Sequence, residues 1–310
     1  MRNIIIILIS LFLTNSCIED YELKLKSDQT RLVVEGMITN QNGPYFIYLT
    51  KSRLQVSYDP YVDKDVNANY ARWADGVEPI YDAKVYITDK NTSITETLVG
   101  SWTFFRGKSY ASDSIGYLGK YQTKNLKGIP GHSYTLKISW QNKEYHAESY
   151  MPPVPPLDSV QFNFTKGAIG KEDYNIPLLF FKEPQNERNY YLFITPGNSR
   201  VWPYSILSDE YLDKYVNGLD VCKGVAPDYW MNAYPYVSDG KLMFDYFIEM
   251  HSITKEAYDY NKALIQQFRT DGGGYSPSPA SPPTNLDNGA LGFFRASAVN
   301  RVDFKRDRNN

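Results

Sequence analysis

Between Arg31 and Tyr150, apart from a long, weakly periodic segment at Lys51 to Pro79, the chain keeps a period of two. Short runs of branched and aromatic residues alternate with polar ones and then stop at Gly, Pro, Asn or Asp. Alternation sends successive side chains to opposite faces of a strand, so one face can be buried and the other left wet. In AKVYITD, Ala83 to Asp89, the residues Ala83, Val85 and Ile87 share a face. Arg31 to Thr39 and Tyr45 to Thr50 flank NQNGP and read as a hairpin with a loop longer than two residues. Ile94 to Leu98, Trp102 to Phe105 and Gly116 to Thr123 are further strands. Tyr134 to Trp140 and Lys143 to Tyr150 are joined by Gln141 and Asn142, a tight loop that sets Trp140 opposite Lys143, Ile138 opposite Tyr145 and His146 opposite Lys137. No helical period interrupts this half. The expectation for 31–150 is a β-sandwich of about seven strands.

MPPVPP at 151–156 breaks the pattern. Proline fixes φ and has no N–H for a ladder, so these residues predict a stiff linker between two domains. In 157–300, strands are expected at Ser159 to Thr165, Ile176 to Lys182, Tyr190 to Thr195, Lys241 to His251 and Gly289 to Ala298. Helical spacing occurs once, at 254–269, where Thr254 caps the N-terminus, Glu256 lies in the first turn, and Ala257, Asn261, Leu264, Ile265 and Phe268 share a face. Asn198 to Gly240 reads as irregular and aromatic-rich, and 301–310 as a polar tail. The fold class is therefore mainly β: two β-sandwich domains, Ig-like or prealbumin-like, the second with one helix and long aromatic loops.

The N-terminus carries a different signal. Arg2 precedes an apolar run from Ile4 to Leu13, too short to cross a bilayer as a helix, which takes about 20 residues. Ser16-Cys17 then follows, the pattern of a lipobox, with Thr14 where leucine is usual. In that reading 1–16 is a signal peptide and Cys17 becomes an acylated first residue; the other reading is an ordinary signal peptide with Cys17 incidental. Each buried acyl CH₂ contributes about 0.8 kcal/mol, so two or three chains give a stable anchor. Glu19, Asp20 and Glu22 lie in the tether at 17–30 and fit either a surface-export signal or a plain solvated spacer.

Composition excludes several functions. A formal charge of −2 argues against a nucleic-acid partner held by phosphate neutralisation. With two cysteines and Cys17 acylated, Cys222 has no disulfide partner in the chain, and an inert buried thiol is its expected state. Asp63, Asp65, Asn67 and Asn69 have calcium-loop spacing, but Ala68 and Ala74 stand where an EF-hand has Gly and Glu. His132 and His146 are predicted on opposite faces of their hairpin, which argues against a shared metal. His251 could act as a base, yet no G-x-S-x-G accompanies it. No phosphate loop or dinucleotide fingerprint occurs. No cofactor, metal or catalytic residue is expected.

The 27 Tyr, 15 Phe and 5 Trp suit half-buried strand faces and binding faces alike. Tyr70 and Trp73 in one long loop, and Trp202, Tyr204, Tyr229 and Trp230 in another, are candidates for a ligand groove. Loops on a rigid scaffold favour that role, and the competing reading is that they pack the domain interface.

Several pieces in order carry a resemblance: LVVEGMIT at Leu32 to Thr39, Gly43-Pro44, AKVYITD, GHSYTL from Gly131, MPPVPPLDSV from Met151, Asn189-Tyr190-Tyr191, and NGALGFF from Asn288. Together they resemble the Bacteroidota outer-membrane lipoproteins of the domain of unknown function 4249 family. The first half is also similar to the prealbumin-type sandwich at the start of many TonB-dependent receptors. The resemblance implies a lipid-anchored outer-membrane protein, surface-exposed, whose gene often accompanies a TonB-dependent transporter. The expected role is a non-catalytic ligand-capture or accessory subunit of that transporter. The alternatives are a structural, adhesin or envelope-assembly scaffold and, third, a hydrolase acting on nutrient polymers.

Overall fold

The strands follow the alternating runs closely. In a computed structural model, residues 30–52, 78–100, 119–165, 174–195, 205–221, 237–238, 241–242, 245–269 and 281–306 are described. In order these form β1 (Leu32–Thr39), β2 (Phe46–Lys51), β3 (Glu78–Pro79), β4 (Lys84–Asp89), β5 (Thr95–Thr97), β6 (Val99–Gly100), β7 (Gly119–Gln122), β8 (Ser133–Trp140) and β9 (Lys143–Tyr150). After the proline segment come β10 (Leu157–Thr165), β11 (Tyr174–Lys182), β12 (Tyr190–Ile194), β13 (Ser205–Ser208), β14 (Tyr215–Asp220), β15 (Val237–Ser238), β16 (Lys241–Leu242) and β17 (Tyr246–Ile253). Helix α1 (Lys255–Arg269) and strand β18 (Leu291–Phe304) complete the chain. The fold is mainly β, as expected.

One nine-stranded sheet runs β13-β12-β17-β18-β1-β2-β7-β6, with β3 added to β2. Strand β18 is its spine. Leu291 to Ser297 pair in parallel with β1, and Ala298 to Phe304 pair antiparallel with β17. Where β1 ends, the Asn40 side chain extends the ladder: its Oδ1 accepts from Val299 N at 2.7 Å and its Nδ2 donates to Val299 O at 3.3 Å. Asn40→Ala orphans that amide, while Gln41 Nε2 still reaches the carbonyl at 3.0 Å. The expected loss is about 1–2 kcal/mol in urea unfolding; an unchanged midpoint would show that the cap contributes nothing.

Two smaller sheets, β5-β4-β8-β9 and β10-β11-β14, lie on the large sheet. Paired residues share a face, and this fixes which one. Gly36↔Phe294 and Gly36↔Ile47 belong to the same side as Met250↔Asn300 and Ile248↔Val302. The first core (Val34, Ile38, Ile47, Val85, Leu136, Ile138, Phe294, Ala296) and the second (Phe181, Tyr191, Phe193, Tyr246, Ile248, Met250) therefore lie on one face of the nine-stranded sheet. Each fully buried side chain of this size contributes roughly 1.5–3 kcal/mol. On the other face, α1 sets Ala257 against Leu192, Ile253 and Phe293. Thr254 caps α1 as predicted, its Oγ1 accepting from Ala257 N at 3.3 Å.

The β8–β9 hairpin has the predicted register throughout, including Lys137↔His146 and Trp140↔Lys143. Its two loop residues, Gln141 and Asn142, take φ of 50° and 59°, as a two-residue hairpin turn requires. The outer edge of β9 is covered without a strand. Asp287 Oδ1 accepts from His146 N, Asp287 N donates to His146 O, and the amides of Asn285 and Asn288 donate to Glu148 O and Glu144 O.

Three expectations are corrected. The irregular stretch 198–240 contains β13 and β14, the first only four residues long and the second weakened in pattern by Asn217, Gly218 and Asp220. The polar tail begins later than residue 301, because β18 continues to Phe304, which packs edge-on to Phe162 at 4.8 Å. The unit expected at 157–300 gives its last strand to the core expected within 31–150, since Phe294, Ala296 and Ala298 are buried there.

Candidate functional site

The aromatic candidates Tyr70, Trp73, Trp202, Tyr204, Tyr229 and Trp230, together with Cys17 and Cys222, lie outside the described residues. Their points of attachment are defined. The segment carrying Tyr70 and Trp73 joins the sheet where Lys51 pairs with Glu78, level with the start of β1. The segment carrying Trp202 and Tyr204 joins beyond Phe193↔Ser205, level with Glu249↔Arg301. Those levels are separated by most of β18, about 3.3 Å per residue. The two segments thus leave opposite ends of the nine-stranded sheet.

The densest polar chemistry among the described residues crosses the β17–β18 seam on the α1 face. Residues 249 and 251 alternate onto that face, and Arg301 lies opposite Glu249. His251 Nε2 donates to Glu249 Oε2 at 3.1 Å, which leaves Nδ1 to accept from Ser297 Oγ at 3.1 Å. Arg301 Nη1 donates to Glu249 Oε1 at 2.6 Å, and its guanidinium stacks 4.1 Å above the Phe247 ring. Burial alone would raise the Glu249 carboxyl, but hydrogen bonds and charge from His251 and Arg301 outweigh it and hold it low. Burial pushes the His251 imidazole down; the Glu249 hydrogen bond opposes this, and Arg295 adds to it.

A serine hydroxyl, an imidazole and a carboxylate in a row have the connectivity of a nucleophilic relay. Ser297 is wholly buried and His251 is 1% exposed, so no substrate carbonyl reaches the serine oxygen. The chain's work here is to satisfy buried polar groups and tie β17 to β18. It also makes the seam acid-sensitive. Because the folded pKa lies below the ordinary 6.5, the unfolded chain takes up the proton first as pH falls. The contribution of His251 to stability is full above pH ~6.5 and declines below it. His251→Gln should lower stability at pH 7 and flatten the decline between about pH 7 and 5.5. Equal slopes in urea unfolding at several pH values would contradict this.

The other histidines are separated, as the hairpin parity predicts. His132 Nδ1 meets Asp89 Oδ2 at 2.8 Å, and His146 Nδ1 meets Asp287 Oδ2 at 3.1 Å. Among the described residues no three of His, Cys, Asp and Glu cluster to hold a metal.

A shallow recess of about 430 Å³ opens at the β11–β12 turn, lined by Glu183, Gln185, Glu187, Arg188, Asp209 and Leu212 among others. Glu183 is its buried member, 2% exposed. The Tyr191 hydroxyl is 2.9 Å from both of its oxygens, and Asn189 Nδ2 donates at 3.1 Å. Burial raises this carboxyl, and Asp209 and Glu187 add to the rise against the two hydrogen bonds. The sequence reading missed Glu183, Glu249 and Ser297. The i, i+2 pair Glu249 and His251 was readable from β17's own alternation; Ser297 was not, because its partner is 46 residues away.

A family profile described as Domain of unknown function (DUF4249) matches residues 18–302. The chain belongs to this family. The match spans β1 and most of β18, so both strands of the pairing that closes the first core lie within the matched region. No curated protein matches the chain. Among the described residues no helix is long and apolar enough to cross a membrane.

Proposed function

We propose that this DUF4249 protein is a lipid-anchored outer-membrane protein, displayed at the cell surface, that captures ligand as a non-catalytic accessory subunit of a TonB-dependent transporter. The observation that carries the reading is the leader: Arg2, the apolar run to Leu13, Ser16-Cys17, then Glu19, Asp20 and Glu22. Acyl chains on Cys17 hold the protein at a bilayer that no described helix crosses. The tether reaches Arg31, whose Nε donates to Gly289 O at 2.6 Å, so the anchored end enters the sheet beside the start of β18. A rigid sheet with long aromatic-bearing segments joined at its ends supports ligand capture, since binding groups concentrate on such connections. Mass spectrometry should find Cys17 acylated, and affinity purification from detergent-solubilised membranes should recover a β-barrel transporter. An unmodified Cys17, or repeated purifications without a barrel, would sink the proposal.

A further inference from the structure

Every open sheet leaves two edges, and such an edge is a template for another strand. This molecule blunts its edges one by one. At the rims of the nine-stranded sheet, β13 has four residues, β6 two, and β3 two with Pro79. Strand β5 has three residues, and β15 and β16 have two each. The long edge of β9 is capped by Asn285, Asp287 and Asn288. Strand β14 is bulged at Gly218, where φ is +81° and the register to β11 shifts. Strand β10 is different: its bulge and its one charge, Asp158, lie at its start, and Ser159 to Thr165 is left without such a device among the described residues. The strand has nine residues, no proline, and no lysine or arginine.

Strand β10 is also self-complementary. About a twofold axis at Gln161, an antiparallel pairing of β10 with its own copy sets Gln161 opposite Gln161. Ser159 then lies opposite Asn163, and Val160 opposite Phe162. Gln161, Ser159 and Asn163 are exposed, while Val160 and Phe162 pack against the second core. Around the axis, polar meets polar at 159, 161 and 163 and apolar meets apolar at 160 and 162; only the outer pair of Asp158 with Phe164 is mixed. The single charge, Asp158, falls opposite position 164 and not another carboxylate.

We infer that β10 is a homodimerisation edge, pairing antiparallel with β10 of a second copy about Gln161 and joining two three-stranded sheets into one of six. The inference is independent of the transporter reading.

The full-length protein in detergent tests it by cysteine cross-linking. In this register two copies of Gln161→Cys meet across the axis, so oxidation should give a covalent dimer in high yield. Asn163→Cys, which would meet Ser159, should cross-link no better than the parent protein. Gln161→Lys sets two like charges face to face on an exposed surface and should weaken the dimer at least tenfold in sedimentation, with unchanged circular dichroism. Equal cross-linking at 161 and 163, or a dimer indifferent to Gln161→Lys, would overturn the inference. So would a monomeric parent protein whose amides at 157–165 are protected from hydrogen exchange, since the edge would then be covered by its own chain.

Discussion

Gly292→Ala is expected to cost more than about 4 kcal/mol, a large share of the roughly 5–15 kcal/mol that holds a folded domain together. Gly292 sits where β18 meets β1, with φ at +91°. A Cβ there would lie 1.9 Å from Val34 O and within 3 Å of Val34 N and C. Backbone cannot swing aside as the end of a side chain can, so the pairing of Val34 with Gly292 must open. Both cores are strung on β18, and the damage would not stay local. Gly289→Ala separates the two causes. Its φ is +75°, but nothing lies within 4 Å of the added carbon. It should therefore cost only the left-handed strain, about 1–2 kcal/mol. Denaturant midpoints decide the matter: similar losses at both positions would mean that backbone strain, and not the approach to Val34, governs Gly292.

Tyr191→Phe is the second large effect. Tyr191 is 1% exposed, and its hydroxyl is one of the two side-chain donors to the buried Glu183. Removing it should destabilise the fold by roughly 1.5–3 kcal/mol at pH 7, the range for a hydrogen bond to a charged group. The sign with pH is fixed by Glu183, whose folded pKa is raised by burial. Losing a donor to the carboxylate raises it further. As pH falls through that value the carboxyl takes up a proton and no longer needs the tyrosine. The penalty should therefore shrink on acidification, and Tyr191→Phe combined with Glu183→Gln should cost less at pH 7 than Tyr191→Phe alone. A penalty independent of pH would show that the ring's packing against Phe181 and Phe193, not the hydroxyl, is what was disturbed.

Local structure was legible in the sequence wherever one residue in two was apolar. The β8–β9 register, the β4 face and the Thr254 cap all followed from spacing and turn chemistry alone. Strand β18 shows the limit. Arg301, Asp303 and Lys305 suggested a solvated tail, yet Val302 and Phe304 keep the alternation, and Arg301 and Asp303 lie on the far face, opposite Glu249 and Phe247. The pattern was present but outweighed by charge density. The parallel pairing of β1 with β18 had no local signal, because partners some 258 residues apart leave no periodicity in either strand. Nor did the covering of β9 by Asn285, Asp287 and Asn288, whose side chains do what a strand backbone would otherwise do.

That first strand and last strand lie side by side has a consequence for biogenesis. A polypeptide emerging N-terminus first from the ribosome cannot complete its first core until residue 297 has cleared the exit. Until then the slot beside β1 stays empty, and the exposed valines and isoleucines around it need a holding chaperone or quick passage. Synthesis stalled short of that point should leave both halves protease-sensitive together, as a single late-folding unit.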